Sequence, residues 1–350
     1  MIKKINNIHL FNQKKSKYNF GLGILKVILS LSVVITHTFN LNSTNNKIIL
    51  FLIKKRRRLH VPSFMIISFN FIHKELISLK FNNIYRRLER LFIPYFGYPV
   101  IILILNKLLY FRFKNEFFTS LKLFNNQILW GNGMLKHFWF LWDLIILTLL
   151  YIVILFYFKM NNLFILQLLF IFAYFLQYSG YNKKFYINLK GAKRESLGRF
   201  VEMIPFSVTG FIMGNFGFIM KLQNHRFKTF VLSLIIFTFI DKYEIFYNLN
   251  EVAYGGIKIN IHSIILIFIF AVLPIDKLSY KLIKLIKIIT RYSGGIYYIH
   301  WSLYIYLNNF ISPIKKGTLL GCFIIYLLSY IISFTGFKIF KKTRLKYLFT

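Results

Sequence analysis

The sequence predicts an all-α, polytopic integral membrane protein with about ten transmembrane helices, and three observations carry that prediction. The 350 residues are 57% hydrophobic and 20% aromatic, with a mean hydropathy of +0.56, far from the roughly quarter-charged make-up of a soluble domain. Mostly apolar runs of the about 17 to 25 residues that a helix needs to cross a bilayer recur from end to end. These runs are continuous and lack the period-two alternation of a barrel strand, which leaves helices as the spanning element.

Taken in order, a basic tail at 1–20 precedes a first span at 21–39. That run is too long for a signal-peptide core and has no small-residue cleavage site, so it reads as a retained helix. The basic run "KKRRR" at 54–58 argues for a cytoplasmic first connection, whereas "NST" at 42–44 would accept a glycan only outside, and the sequence does not decide the orientation. A second span follows at 60–79. The third, at 91–110, is entered through an arginine-bearing stretch, and the fourth at 138–158 is rich in tryptophan and leucine. Further apolar runs lie at 162–179, 200–220, 227–245, 260–275, 286–310 and 318–338, before a basic tail at 341–350. The connections are mostly short, the longest at 111–137 and 180–199. Residues 21–340 therefore read as a single transmembrane domain, with no separate soluble domain and no repeat of 20–50 residues.

The formal charge of +36 comes from 46 basic and only ten acidic residues. The cations are scattered among the connections and do not line one face, so nucleic acid is not the expected partner. Anchoring against anionic lipid of the bilayer is. With so few acids, carboxylate chemistry has few candidates within or beside the spans: Asp143, Glu202 and Glu89. The single cysteine, Cys322, can form no intrachain disulfide and reads as packing. No metal is expected.

The first span carries Lys26 and His37, eleven residues apart. Eleven residues make about three helical turns, placing the two on nearly one stripe about 16 Å apart along the axis. Ionisable groups inside a span are costly and usually face a protein interior or a wet cavity. A histidine hydrogen-bonded near a span end fits the position as well as a functional one does. Arg87 and Arg90, three apart on one helical face with Arg86 beside them, fit either an anion site or a basic cap at a membrane edge. Trp139, Trp142 and Trp301 read as interfacial anchors, and His137 as a headgroup-region residue.

Several stretches, in order, resemble one family. "LKVILSLSVVITHTFN" is similar to the opening helix of the membrane-bound acyltransferase 3 family, which O-acetylates carbohydrates. "VPSFMIISFNFI" at 61–72 resembles its second helix, and "YRRLERLFIPYF" at 85–96 its arginine pair entering the third. "HFWFLWDLIILTLLYIVILF" at 137–156 resembles its Trp-Phe-Leu fourth helix. "VEMIPFSVTGFIMGNF" at 201–216 is similar to its mid-chain helix, and "RYSGGIYYIHWSLYIYL" at 291–307 to its closing glycine, tyrosine and histidine motif. The resemblance covers roughly 20–340. The chain departs from it in having Lys26 where the family has arginine and Phe69 where it has glycine.

The resemblance implies a multi-pass membrane enzyme of the acyltransferase class that transfers groups other than amino-acyl groups. It would move an acetyl group from acetyl-CoA, the acyl-CoA donor, to a hydroxyl of a glycan or lipid-linked sugar. The chemistry needs a base for the hydroxyl proton, and a neutral imidazole suits that near neutral pH; His37 is the expected base. Lys26, Arg87 and Arg90 would hold the donor's phosphates, Lys26 keeping the charge without the bidentate fork of arginine. Asp143, Glu202 and His300 are candidates for orienting the base or meeting the substrate. A glycan or lipid flippase, with the same residues lining a path, is the rival reading, although the sequence shows no inverted repeat. A non-catalytic member of the family is the other.

Overall fold

Asn19 starts the first helix, its side-chain oxygen accepting a 3.0 Å hydrogen bond from the Leu22 amide and so capping one of the donors that a helix start leaves unpaired. The computed structural model describes residues 19–43, 59–113, 121–157 apart from 132 and 134, 167–175 apart from 169, 173 and 174, 192–246, 257–274, 278–308 and 310–350. Every regular element among them is helical. In chain order these are α1 (Phe20–Thr38), α2 (His60–Ile77), α3 (Phe81–Phe113), α4 (Leu121–Trp130), α5 (Trp139–Tyr157) and α6 (Ala192–Asn215). There follow α7 (Phe218–Gln223), α8 (Arg226–Phe246), α9 (Ile257–Ala271), α10 (Tyr280–Arg291), α11 (Ser293–Leu307), α12 (Ser312–Lys315) and α13 (Leu319–Phe340). Short 3₁₀ turns cover Leu41–Ser43, Lys136–Phe138 and Arg344–Phe349.

Four of these helical stretches are long and apolar enough to cross a membrane by length and composition: Phe20–Thr38, Phe81–Leu105, Trp139–Tyr157 and Leu319–Phe340. They mark a membrane protein. The expected ten spans are not all met in that form. The spans expected at 60–79, 200–220 and 227–245 are helices but fall short of that apolar criterion, and α9 has 15 residues. The one expected at 286–310 is split at Tyr292. Before the break, α10 carries Lys281, Lys284 and Lys287 along one side with leucine and isoleucine opposite, the pattern of a helix lying along an interface. Most of the run at 162–179 and the "KKRRR" run lie outside the described residues.

Helix α1 is central, packed against α2, α9, α10, α11 and α13. The most extensive pairing is α2 on α6, made by the small residues Gly210 and Gly214 four apart. A Cβ at Gly210 would lie 2.2 Å from the Ile66 carbonyl oxygen, and one at Gly214 would lie 2.3 Å from His73 Nδ1. This is the small-xxx-small packing by which helices approach closely where lipid supplies no hydrophobic drive. Aromatic side chains fill the interior behind it, with Tyr151 between Phe69 at 4.9 Å and Phe211 at 5.3 Å.

Candidate active site: a cationic chamber and a histidine cluster

One end of α1 enters a cationic site. Arg87, on α3, donates through Nη2 to Ser68 Oγ of α2 at 2.7 Å, and its guanidinium lies 5.7 Å from the Phe69 ring. Phe69 thus fills, under an arginine, the place where the resemblance expects glycine. Lys26 Nζ sits 5.1 Å from the centroid of Phe71, and Arg87 is the charged group that acts on it. Arg86, Arg87 and Arg90 line a chamber of about 410 Å³, with Glu75 as the carboxylate in its wall. Lys26 lines a second chamber of about 270 Å³. Leu91, Tyr298 and Thr350 are common to both linings and form the partition. Of the three expected donor-binding residues, Arg87 and Arg90 thus share one chamber and Lys26 lines its neighbour.

The other end of α1 enters a cluster of imidazoles. His37 lies 5.5 Å from His300, 6.0 Å from His137 and edge-on to Trp301 at 5.5 Å, ring centroid to ring centroid. His137 and His300 are 4.7 Å apart. His60, buried at the start of α2, is close enough for His37 and His300 to act on it or it on them. His300 Nδ1 bonds to the Tyr297 carbonyl at 2.8 Å, so it carries the proton, because a carbonyl only accepts. Its Nε2 is then the bare nitrogen and has no hydrogen-bond partner among the described residues.

His137 is a correction to the headgroup reading: it is buried within the cluster. The backbone places it there. Gln127 Oε1 accepts from the Leu135 amide at 2.9 Å, Tyr95 donates to the Ile128 carbonyl at 2.9 Å, and the Tyr297 hydroxyl donates to the His137 carbonyl. These bonds fold the 3₁₀ turn Lys136–Phe138 inward. Trp301, read as an interfacial anchor, lies beside His37. His60 was missed; its signal was a position just before the apolar "VPSF" run, where a histidine resembles an ordinary helix start.

Asp143 and Glu202 are brought to each other and not to His37. The charged groups acting on Asp143 are Arg199 and Glu202, and Arg199 also lies 5.0 Å from the Trp139 ring. Asp143 is 1% exposed and neither of its oxygens has a hydrogen-bond partner among the described residues. Of the three orienting candidates, His300 is the one in ring contact with His37. Cys322 accepts a hydrogen bond from Thr38 Oγ1 at 3.1 Å, a packing contact between α1 and α13.

No group of three or more histidine, cysteine or acidic side chains with metal-holding geometry occurs among the described residues. The second chamber ends against Tyr297, whose ring is 5.3 Å from His137. The two chambers are thus neighbours, and Tyr297 stands between the second and His137 of the histidine cluster.

No curated protein and no solved structure matches the chain. The sequence profile of an acyltransferase domain matches residues 19–338, a stretch that includes α1, the arginines of α3, the turn bearing His137 and the histidine of α11. Because that match runs over nearly the whole chain and takes in each of those site-bearing elements, the protein belongs to acyltransferase family 3.

Proposed function

We propose that the protein is a multi-pass membrane O-acyltransferase that moves an acetyl group from acetyl-CoA to a hydroxyl of a glycan or lipid-linked sugar, with His37 as general base. The observation that carries the reading is the placement of Lys26 and His37. One helix presents a cation to the arginine site and an imidazole to the histidine cluster, about 16 Å apart along its axis. An extended pantetheine arm spans such a distance between the phosphates and the thioester of coenzyme A.

In this mechanism the acceptor hydroxyl gives its proton to the neutral imidazole of His37 as its oxygen attacks the thioester carbonyl carbon. The tetrahedral intermediate collapses, the carbon–sulfur bond breaks, and the leaving thiolate takes the proton back from the imidazolium. Holding the donor at its phosphates removes the entropic cost of bringing the two reactants together, a large share of many barriers. Removing a positioned base typically costs about 10²–10⁴ in rate.

The test is transfer of label from acetyl-CoA to acceptor sugars by the solubilised protein. His37→Ala should lose turnover by about that factor while inserting and expressing normally, since it makes a span more apolar. A His37→Ala protein with near wild-type turnover would remove the base. Sugar or lipid translocation by a protein that never consumes acetyl-CoA would replace the enzyme reading with a flippase.

A further inference from the structure

Residues 344–350 lie beyond the part of the chain matched by the family profile, 19–338, yet they fold back onto the arginine chamber. Their seat is built for backbone. A Cβ at Gly294 would lie 2.6 Å from the Thr350 oxygen, one at Gly295 2.7 Å from the Phe349 oxygen, and one at Gly336 2.4 Å from the Phe349 ring. The Tyr98 hydroxyl of α3 donates to the Leu348 carbonyl at 2.7 Å. Sequence reading took this stretch as part of a basic tail; its backbone is instead held between α3, α11 and α13.

Three side chains of the segment meet the candidate donor site. The Tyr347 ring lies 5.6 Å from the Arg90 guanidinium. Arg344 Nε is 3.0 Å from Glu89 Oε1. Thr350 stands in the partition between the arginine and Lys26 chambers. Glu89 matters because it sits three residues after Arg86 and one before Arg90. Residues three apart on a helix are neighbours whereas adjacent ones do not face each other, so a free Glu89 carboxylate would compete with phosphate for Arg86. The Arg344 side chain is 73% exposed and that of Glu89 12%, so solvent screens the pair from the Arg344 side.

We propose that the 344–350 segment is a positioning wall of the donor-phosphate site. Tyr347 holds the Arg90 guanidinium, Arg344 diverts Glu89 from Arg86, and Thr350 closes the partition. The inference rests on the reading of Arg87 and Arg90 as donor ligands. None of these three residues touches the reacting atoms, so they act on donor affinity and not on the chemical step.

The test measures coenzyme A binding to the full-length solubilised protein, together with donor KM, acceptor KM, kcat and melting temperature. Tyr347→Ala should weaken coenzyme A binding by about 2- to 30-fold, the range of a cation–π contact, and Tyr347→Phe, which keeps the ring, should restore it. Arg344→Ala should raise donor KM while acceptor KM, kcat and melting temperature stay put, and adding Glu89→Gln should reverse that rise. Wild-type coenzyme A affinity in Tyr347→Ala, or equal loss in Tyr347→Phe, would overturn the proposal. Parallel Arg87→Ala and Arg90→Ala proteins separate the two levels. If they bind coenzyme A normally, the donor reading and this inference fall together; if they bind weakly while Tyr347→Ala does not, only this inference falls.

Discussion

Alanine at Gly210 tests whether the close approach of α2 and α6 supports the cationic site. The new Cβ would sit 2.2 Å from the Ile66 oxygen and 2.9 Å from its Cα, whereas ordinary contact begins at 3.4 Å. The atoms in the way are backbone, so no side chain can turn aside and the helices must part by about 1 Å. Overpacking of this kind typically costs about 1–3 kcal/mol. For a chain of 350 residues each kcal/mol lowers the melting midpoint by about 1–2 °C. The displacement also reaches the site, because Ser68 lies two residues from Ile66 and accepts the 2.7 Å bond from Arg87. A shift of about 1 Å moves that bond out of the 2.7–3.2 Å range of a good N–H···O contact.

Gly198, on the same helix, is the control: a Cβ there meets nothing within 4 Å. Replacing a helical glycine with alanine where there is room stabilises by about 0.5–1 kcal/mol. The assay is thermal unfolding of the solubilised protein with donor KM measured on each variant. Gly210→Ala should melt several degrees lower with a raised donor KM, and Gly198→Ala should melt at or above wild type with donor KM unchanged. If the two variants behave alike, the close α2–α6 contact and its link to Arg87 are refuted.

Lys26→Arg should keep or improve donor binding, because the guanidinium adds donors at the same charge, while Lys26→Met should weaken it; equal acetyl-CoA affinity in Lys26→Met and wild type would make Lys26 a cation that merely reaches the interface. Asp143→Asn should leave kcat within a few fold of wild type, since Asp143 faces Arg199 and Glu202, and a loss of about 10² or more in kcat would place it in the catalytic machinery. Gly317, at φ +62 with a Cβ that would meet the Asn40 backbone nitrogen at 2.7 Å, should tolerate alanine poorly, with a lower melting temperature and unchanged donor KM.

The apolar helices were legible because their signal is local. Phe20–Thr38, Trp139–Tyr157 and Leu319–Phe340 stand where continuous apolar runs put them, and the arginine spacing of α3 survives as one lining of a chamber. The span across 286–310 misled because the run stays apolar through the break at Tyr292, and the lysines at 281 and 284 that mark α10 as amphipathic lie before the window. The histidine cluster was not legible as a cluster. His37, His60, His137 and His300 come from four parts of the chain, and two of them sit at helix starts where histidine has several ordinary roles. The pairing of Asp143 with Arg199 and Glu202 was hidden for the same reason, the partners belonging to different helices. What spacing along one helix can show, as for Lys26 and His37, was readable; convergence between helices was not.

His37 has imidazole and indole neighbours where many bases have a carboxylate, and this sets the last prediction. A carboxylate orients a base by accepting its N–H. Of the imidazoles in ring contact with His37, His300 is the one whose tautomer a hydrogen bond fixes, its Nδ1 committed to the Tyr297 carbonyl and its Nε2 left as a bare acceptor. His300 is 0% exposed, so an unpartnered lone pair there costs free energy until a donor meets it. The N–H of His37 is such a donor, and meeting it would leave the other His37 nitrogen bare to take the hydroxyl proton. His300→Gln keeps an acceptor at about the place of Nε2, whereas His300→Leu keeps bulk without one. If His300 orients the base, the glutamine variant should retain a substantial part of kcat and the leucine variant should lose about 10²–10⁴, with coenzyme A binding intact in both. Equal kcat in the two would mean that His300 only fills space, and equal loss of coenzyme A binding would place it in the donor site.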